Sequence, residues 1–164
     1  MTVIEIQSES IPAHKIVVAI DESQNSNKAL EWAMDNVVSA TVPTSISIVH
    51  VAQVPFSFVS TLGLSSDSGR AQAQDTAMKH GQAILDKALL KVTERFKGNK
   101  HVEAVKVLLQ GETREAICDF LQRHDVMLCV IGSRGMGMIK RALMGSTSEY
   151  VVQHATCPTG NNLI

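Results

Sequence analysis

Residues 15–37 read KIVVAIDESQNSNKALEWAMDNV, and this stretch decides the fold class. Lys15 is followed by Ile16, Val17, Val18, Ala19 and Ile20, a continuous apolar run. Such a run reads as a strand buried on both faces, not as a half-exposed one. It stops at Asp21. Glu22, Ser23, Gln24, Asn25 and Ser26 then form a polar turn rich in candidate N-caps, and Ala29, Leu30, Ala33, Met34 and Val37 recur at helical spacing. A buried strand that turns directly into an amphipathic helix is the opening unit of a parallel α/β sheet.

The rest of the chain repeats the alternation. After Pro43, residues 46–51 (ISIVHV) form a second strand, with His50 near its end as a structural residue. Residues 52–70 read as a loop, with Pro55, Gly63, Gly69 and several serines among Phe56, Phe58 and Leu62. A structureless segment of that length is more often functional or disordered than merely connecting. Ala77, Gly81, Ile84, Leu85, Ala88, Leu89, Val92 and Phe96 mark a long helix over 71–96. A third strand spans 102–109, and Gly111 punctuates before a helix carrying Ala116, Ile117, Phe120 and Leu121. Residues 126–131 give a fourth strand and 146–154 a fourth helix. Strand–helix alternation implies right-handed crossovers and a doubly wound parallel sheet with helices on both faces. Residues 1–13 are a short polar lead-in, and 14–164 form the single domain.

Composition narrows the function classes. The chain has 164 residues, enough for one domain with a real core. Its 15 basic and 16 acidic residues nearly cancel, so no overall field attracts nucleic acid or a membrane surface. No apolar run is long enough to span a bilayer, and the N-terminus has no basic start or apolar core of a secretory signal. Cys118, Cys129 and Cys157 form no CxxC pair, and the first two lie in apolar stretches. They read as small core residues in a reducing, cytoplasmic setting.

The ligand signal lies at the end of the fourth strand. Gly132, Gly135, Gly137 and Gly145 follow it, and Gly145 leads into Ser146, Thr147 and Ser148 at the start of a helix. Glycines let the backbone approach a ligand closely. A helix start offers N–H donors and the positive end of a dipole, which suits a phosphate. Ser146 and Ser148 are also plausible caps. In open parallel sheets ligands bind outside the carboxyl ends of the strands, where strand order reverses. If strands one and four meet there, Asp21 and the glycine segment face one crevice; the other reading of Asp21 is a simple helix cap.

Several phosphate and catalytic motifs are absent. No glycine precedes Lys-Ser or Lys-Thr as in a Walker A loop. Gly132, Gly135 and Gly137 reverse the spacing of the dinucleotide fingerprint and follow the fourth strand, not the first. GxSxG and HExxH are also missing.

What remains is Gly132-x2-Gly135-x9-Gly145-Ser146 together with Asp21. With VVAIDES at 17–23, IVHV at 48–51, GET at 111–113, VIGSRGMG at 130–137 and ALMGSTSEYVVQHATCP at 142–158, it resembles the ATP-binding branch of the universal stress protein family. The resemblance covers nearly the whole chain. It implies a Rossmann-like five-stranded parallel sheet of order 3-2-1-4-5. It implies that Ala19, Ile20 and Asp21 line an adenosine pocket, that Val51 meets the adenine, and that Gly132, Arg134 and Gly135 wrap the ribose and phosphates. Gly145, Ser146, Thr147 and Ser148 would hold the phosphate chain, and Asp21 could meet a phosphate-bound Mg²⁺.

The implied function is a nucleotide-gated stress-response module that binds ATP, or AMP or ADP, and offers a changed surface to a protein partner. Any hydrolysis would be slow, with autophosphorylation the other activity considered. The alternatives are an ATP pyrophosphatase or adenylyl-transferring enzyme of the same architecture, and a nucleotide-free interaction module. The chain departs from the family at its end. A fifth strand, usually CPV and an apolar run, commonly makes the family's homodimer, but here Thr159, Gly160, Asn161 and Asn162 follow Pro158. Gly and Asn disfavour a strand, so the expectation is a weak or frayed edge and no firm dimer through it.

Overall fold

The computed structural model describes residues 14–54, 67–133 and 145–162. Within them the order is β1 (His14–Ala19), α1 (Gln24–Asn36), β2 (Thr44–Ala52), α2 (Asp67–Arg95), β3 (Val102–Gln110), α3 (Thr113–Arg123), β4 (Leu128–Gly132), α4 (Ser146–His154) and β5 (Thr159–Asn162). The five strands form one sheet of order β3-β2-β1-β4-β5, with every neighbouring pair parallel. The order is the one expected.

β1 is central because it is apolar on both sides. Ile16 and Val18 face the helices α1 and α2, packing with Ala29, Leu30, Ala33, Leu85, Ala88 and Val92. Val17 and Ala19 face the other way, toward Ile117, Phe120 and Leu121 of α3 and Val151 of α4. Burying each such Val, Ile or Leu contributes about 1.5–3 kcal/mol. Val18 sits in register with Ile48 on β2 and Val130 on β4; β1 and β4 end within one residue of each other, while β2 runs three residues further, to Ala52. From β1 the chain winds outward through β2 and β3, then returns to β4 on the other side. The order reverses between β1 and β4.

Apart from shifts of one or two residues at other element ends, two features differ from the sequence reading. α2 begins at Asp67, so residues 67–70 are helical and not loop. Small polar residues and glycine mark loops, but Asp and Ser are equally at home in a helix's first turn. β5 does form, as four residues paired with β4 from Cys129↔Thr159 to Gly132↔Asn162. It is short, as its composition implies, and it covers the edge of β4. Residues 55–66 of the expected loop lie outside the described residues.

Candidate functional site

Side chains of the turn between β1 and α1 knit it together. Ser23 is the N-cap of α1, its hydroxyl accepting from the Ser26 N–H at 3.1 Å. Asp21 Oδ1 accepts from the Ser23 N–H at 2.9 Å, and the Ser26 hydroxyl donates to the Asp21 carbonyl at 2.7 Å. The cap is therefore Ser23, and Asp21 buttresses it. One carboxylate oxygen of Asp21 is used in this way.

The other side of the crevice is built from β4 and α4. The two ends of the glycine segment are tied together: the Gly145 N–H donates to the Ser133 carbonyl at 2.7 Å, and the Ser148 hydroxyl to the Gly132 carbonyl at 2.6 Å. Gly132 itself is pressed against α1. A Cβ there would lie 2.8 Å from the Asn25 carbonyl carbon and 2.9 Å from the Ser26 nitrogen. Only glycine lets the first turn of α1 come so close to the end of β4.

Gly145 is the N-cap of α4 and has no side chain to satisfy the first turn. Neither Ser146 nor Ser148 caps the helix, contrary to one sequence reading; the Ser148 proton is committed to Gly132. The contrast with the neighbouring helices is informative. α1 is capped by Ser23, and α3 by Glu112, whose carboxylate accepts from the Glu115 N–H. Among the described residues no side chain caps α4, which leaves the N–H groups of Ser146, Thr147 and Ser148 for solvent or a ligand.

These parts enclose a cavity of about 400 Å³. Its apolar wall comes from Ala19, Ile20, Val49, Val51, Ile117 and Ile131, and its polar wall from Asp21, Ser26, Thr113, Ser146, Thr147 and Ser148. First-turn residues of α1, α3 and α4 all line it. Among the described lining residues Asp21 is the sole carboxylate, and there is no Lys or Arg. An anion here would be met by helix N-termini and hydroxyls.

Ala19, Ile20, Asp21, Val51, Gly132, Gly145, Ser146, Thr147 and Ser148 all line this one cavity. Arg134 and Gly135 lie outside the described residues. Sequence reasoning missed Ser26, Val49, His50, Gln53, Thr113, Ile117 and Ile131. Thr113 and Gln53 were within reach of the same rule that found Asp21, since each follows a strand at the sheet's carboxyl edge. His50 is among the residues lining the cavity, and its Nδ1 lies 2.8 Å from the Ile20 carbonyl. No cluster of His, Cys, Asp and Glu able to hold a metal occurs among the described residues, and no described helix is long and apolar enough to cross a membrane.

The model of the universal stress protein family matches residues 12–159. The chain belongs to that family. It is 32% identical over 148 residues to universal stress protein YxiE of Bacillus subtilis, covering 88% of this chain and 95% of that relative. Among solved structures, a universal stress protein family protein from Arabidopsis thaliana with AMP bound superposes with a TM-score of 0.60 at 22% identity, covering 90% of each chain. A universal stress protein in complex with cAMP gives 0.58 at 18% identity, covering 92% of this chain and 97% of that one. At those identities the structural likeness concerns the fold.

Proposed function

We infer that this universal stress protein family member binds an adenine nucleotide, ATP in the first instance, in the cavity between β1, β4 and α4. The observation that carries the reading is the uncapped first turn of α4 opening into a nucleotide-sized cavity with one apolar wall. The AMP- and cAMP-bound neighbours support the adenine part of it. Ala19, Ile20 and Val51 take the adenosine end. Gly145, the hydroxyls of Ser146 and Thr147, and the N–H groups of residues 146–148 take the phosphates. Ser148 acts through its backbone, since its hydroxyl proton is already donated. Gly132 shapes the wall, and the ribose and phosphates are also assigned to Arg134 and Gly135, which lie outside the described residues.

Mg²⁺ fits this site only as a companion of the nucleotide. Asp21 has one oxygen engaged by the Ser23 N–H, and the other can face a phosphate-bound ion. Mg²⁺ held by one carboxylate, phosphate oxygens and water is ordinary. Among the described lining residues no second carboxylate or His–acid pair stands ready as a general base, so hydrolysis is slow or absent. The protein acts as a nucleotide-gated module in the stress response, and gating requires that ATP favour one conformation over another. Its partner is a protein. The three free thiols support a cytoplasmic setting.

Calorimetric titration with ATP, ADP, AMP and GTP tests the reading. Micromolar binding of adenine nucleotides and weaker binding of GTP is the expected result. Absence of binding by all four would overturn it.

A further inference from the structure

His50 occupies an unusual position between the cavity and α2. Its Nδ1 lies 2.8 Å from the Ile20 carbonyl. A carbonyl can only accept, so Nδ1 carries the proton. Ile20 lies just past the end of β1, and its own N–H donates to the Val49 carbonyl at 2.8 Å. Both polar groups of Ile20 are thus held from β2, one by backbone and one by the imidazole. The next residue is Asp21, and Ile20, Asp21 and His50 all line the cavity.

The ring is held from behind as well. Gly81 of α2 does not line the cavity, yet a Cβ on it would lie 2.8 Å from His50 Cδ2 and 2.7 Å from Leu108 Cδ1. The backbone of α2 therefore abuts the imidazole. A glycine inside a helix is less favourable than alanine, and close approach is the reason to keep one.

We propose that His50 is a positioning residue for the nucleotide. Its Nδ1–H fixes the Ile20 carbonyl, and with it the Asp21 turn, in the conformation the ligand meets, and Gly81 keeps the ring in place. The inference rests on the nucleotide reading of the cavity. It adds a mechanical link from that cavity to α2, through which a bound ligand and the position of the helix affect one another.

Two substitutions at His50 separate this role from plain packing. Asn places an amide N–H near the position of Nδ1 but loses the ring, whereas Phe keeps the ring's shape and has no donor. ATP affinity is measured by calorimetry alongside the melting temperature. The proposal expects His50→Phe to weaken ATP binding about tenfold, the equivalent of one hydrogen bond, with His50→Asn recovering to within about threefold of the original. Gly81→Ala, remote from the ligand, weakens binding severalfold by displacing the ring. The reverse order at His50, Phe retained and Asn impaired, overturns the proposal, as does ATP affinity unchanged in all three variants. In the unmodified protein, ¹⁵N spectra should show the Nδ1–H tautomer of His50 and a shift of that signal when ATP is added. A signal unmoved at ATP saturation also overturns the proposal. An unmodified protein that binds no nucleotide refutes the functional reading itself, and the inference with it.

Discussion

The Ser148 hydroxyl donates to the Gly132 carbonyl across 2.6 Å, joining the first turn of α4 to the last residue of β4. Ser148 is only 3% exposed, so the bond is shielded from water. Removing the hydroxyl leaves a buried carbonyl without its partner. Ser148→Ala should lower unfolding stability by about 1–3 kcal/mol in urea denaturation. Ser146→Ala, at an exposed position, should stay within about 0.5 kcal/mol of the unmodified protein.

Ser146 offers a way to remove a phosphate donor without breaking the helix. It is the first residue of α4, where proline's missing N–H costs nothing within the helix. Gly145 has φ −72° and ψ 144°, the extended conformation that a residue before proline requires. Ser146→Pro should therefore keep its melting temperature while losing both the N–H and the hydroxyl. The expected loss in ATP affinity is about tenfold or more, read by calorimetry. Unchanged affinity in the folded variant would place the phosphates elsewhere.

Two glycines on neighbouring strands should respond oppositely to alanine. At Gly132 the new Cβ would meet backbone atoms of Asn25 and Ser26 at 2.8–2.9 Å, so α1 must shift. Gly132→Ala should cost about 1–3 kcal/mol or more, which makes it a poor probe of binding. At Gly160 the nearest atom is Trp32 Cζ3 at 3.8 Å, an ordinary contact. Gly160→Ala should stabilise by about 0.4–1 kcal/mol, since the unfolded chain loses freedom and the strand gains. Thermal melts of both variants check the contrast.

Burial pushes the thiol of Cys129 far above the ordinary range, and burial also raises those of Cys118 and Cys157. A folded pKa above the unfolded one means the native state holds its proton longer. The stabilisation is present at neutral pH and is lost as pH rises past the unfolded thiol value, about 8.5. Under reducing conditions the drop in stability from pH 7 to pH 10 should be smaller in Cys129→Ala than in the unmodified protein. Equal drops would show that Cys129 does not contribute. Cys129 should also resist alkylation until the protein unfolds.

Much of this architecture was legible in the sequence, for identifiable reasons. The run Ile16–Ile20 is apolar on both faces, so a central strand is the only comfortable place for it, and Asp21 at its end marks the carboxyl edge where ligands collect. The start of α4 was legible because Gly145 and the three hydroxyl residues after it have few other uses in that order. Other features depend on partners distant in the chain. His50 reads as one more strand residue until β2 lies beside Ile20 and Gly81 comes down on its ring. Ser148 looks like a cap until Gly132 is seen across from it. β5 forms despite Gly160 and the two asparagines because pairing with β4 and cover from α1 outweigh weak local propensity.

The central claim is that the open first turn of α4 holds the phosphates of an adenine nucleotide. It is tested most directly by following the backbone amide signals of Ser146, Thr147 and Ser148 in ¹⁵N spectra during titration with ATP and, separately, with adenosine. The account predicts large shifts of all three with ATP and small ones with adenosine, while Ala19, Ile20 and Val51 respond to both. Shifts confined to other surfaces, or no response of the three amides at saturating ATP, would contradict it.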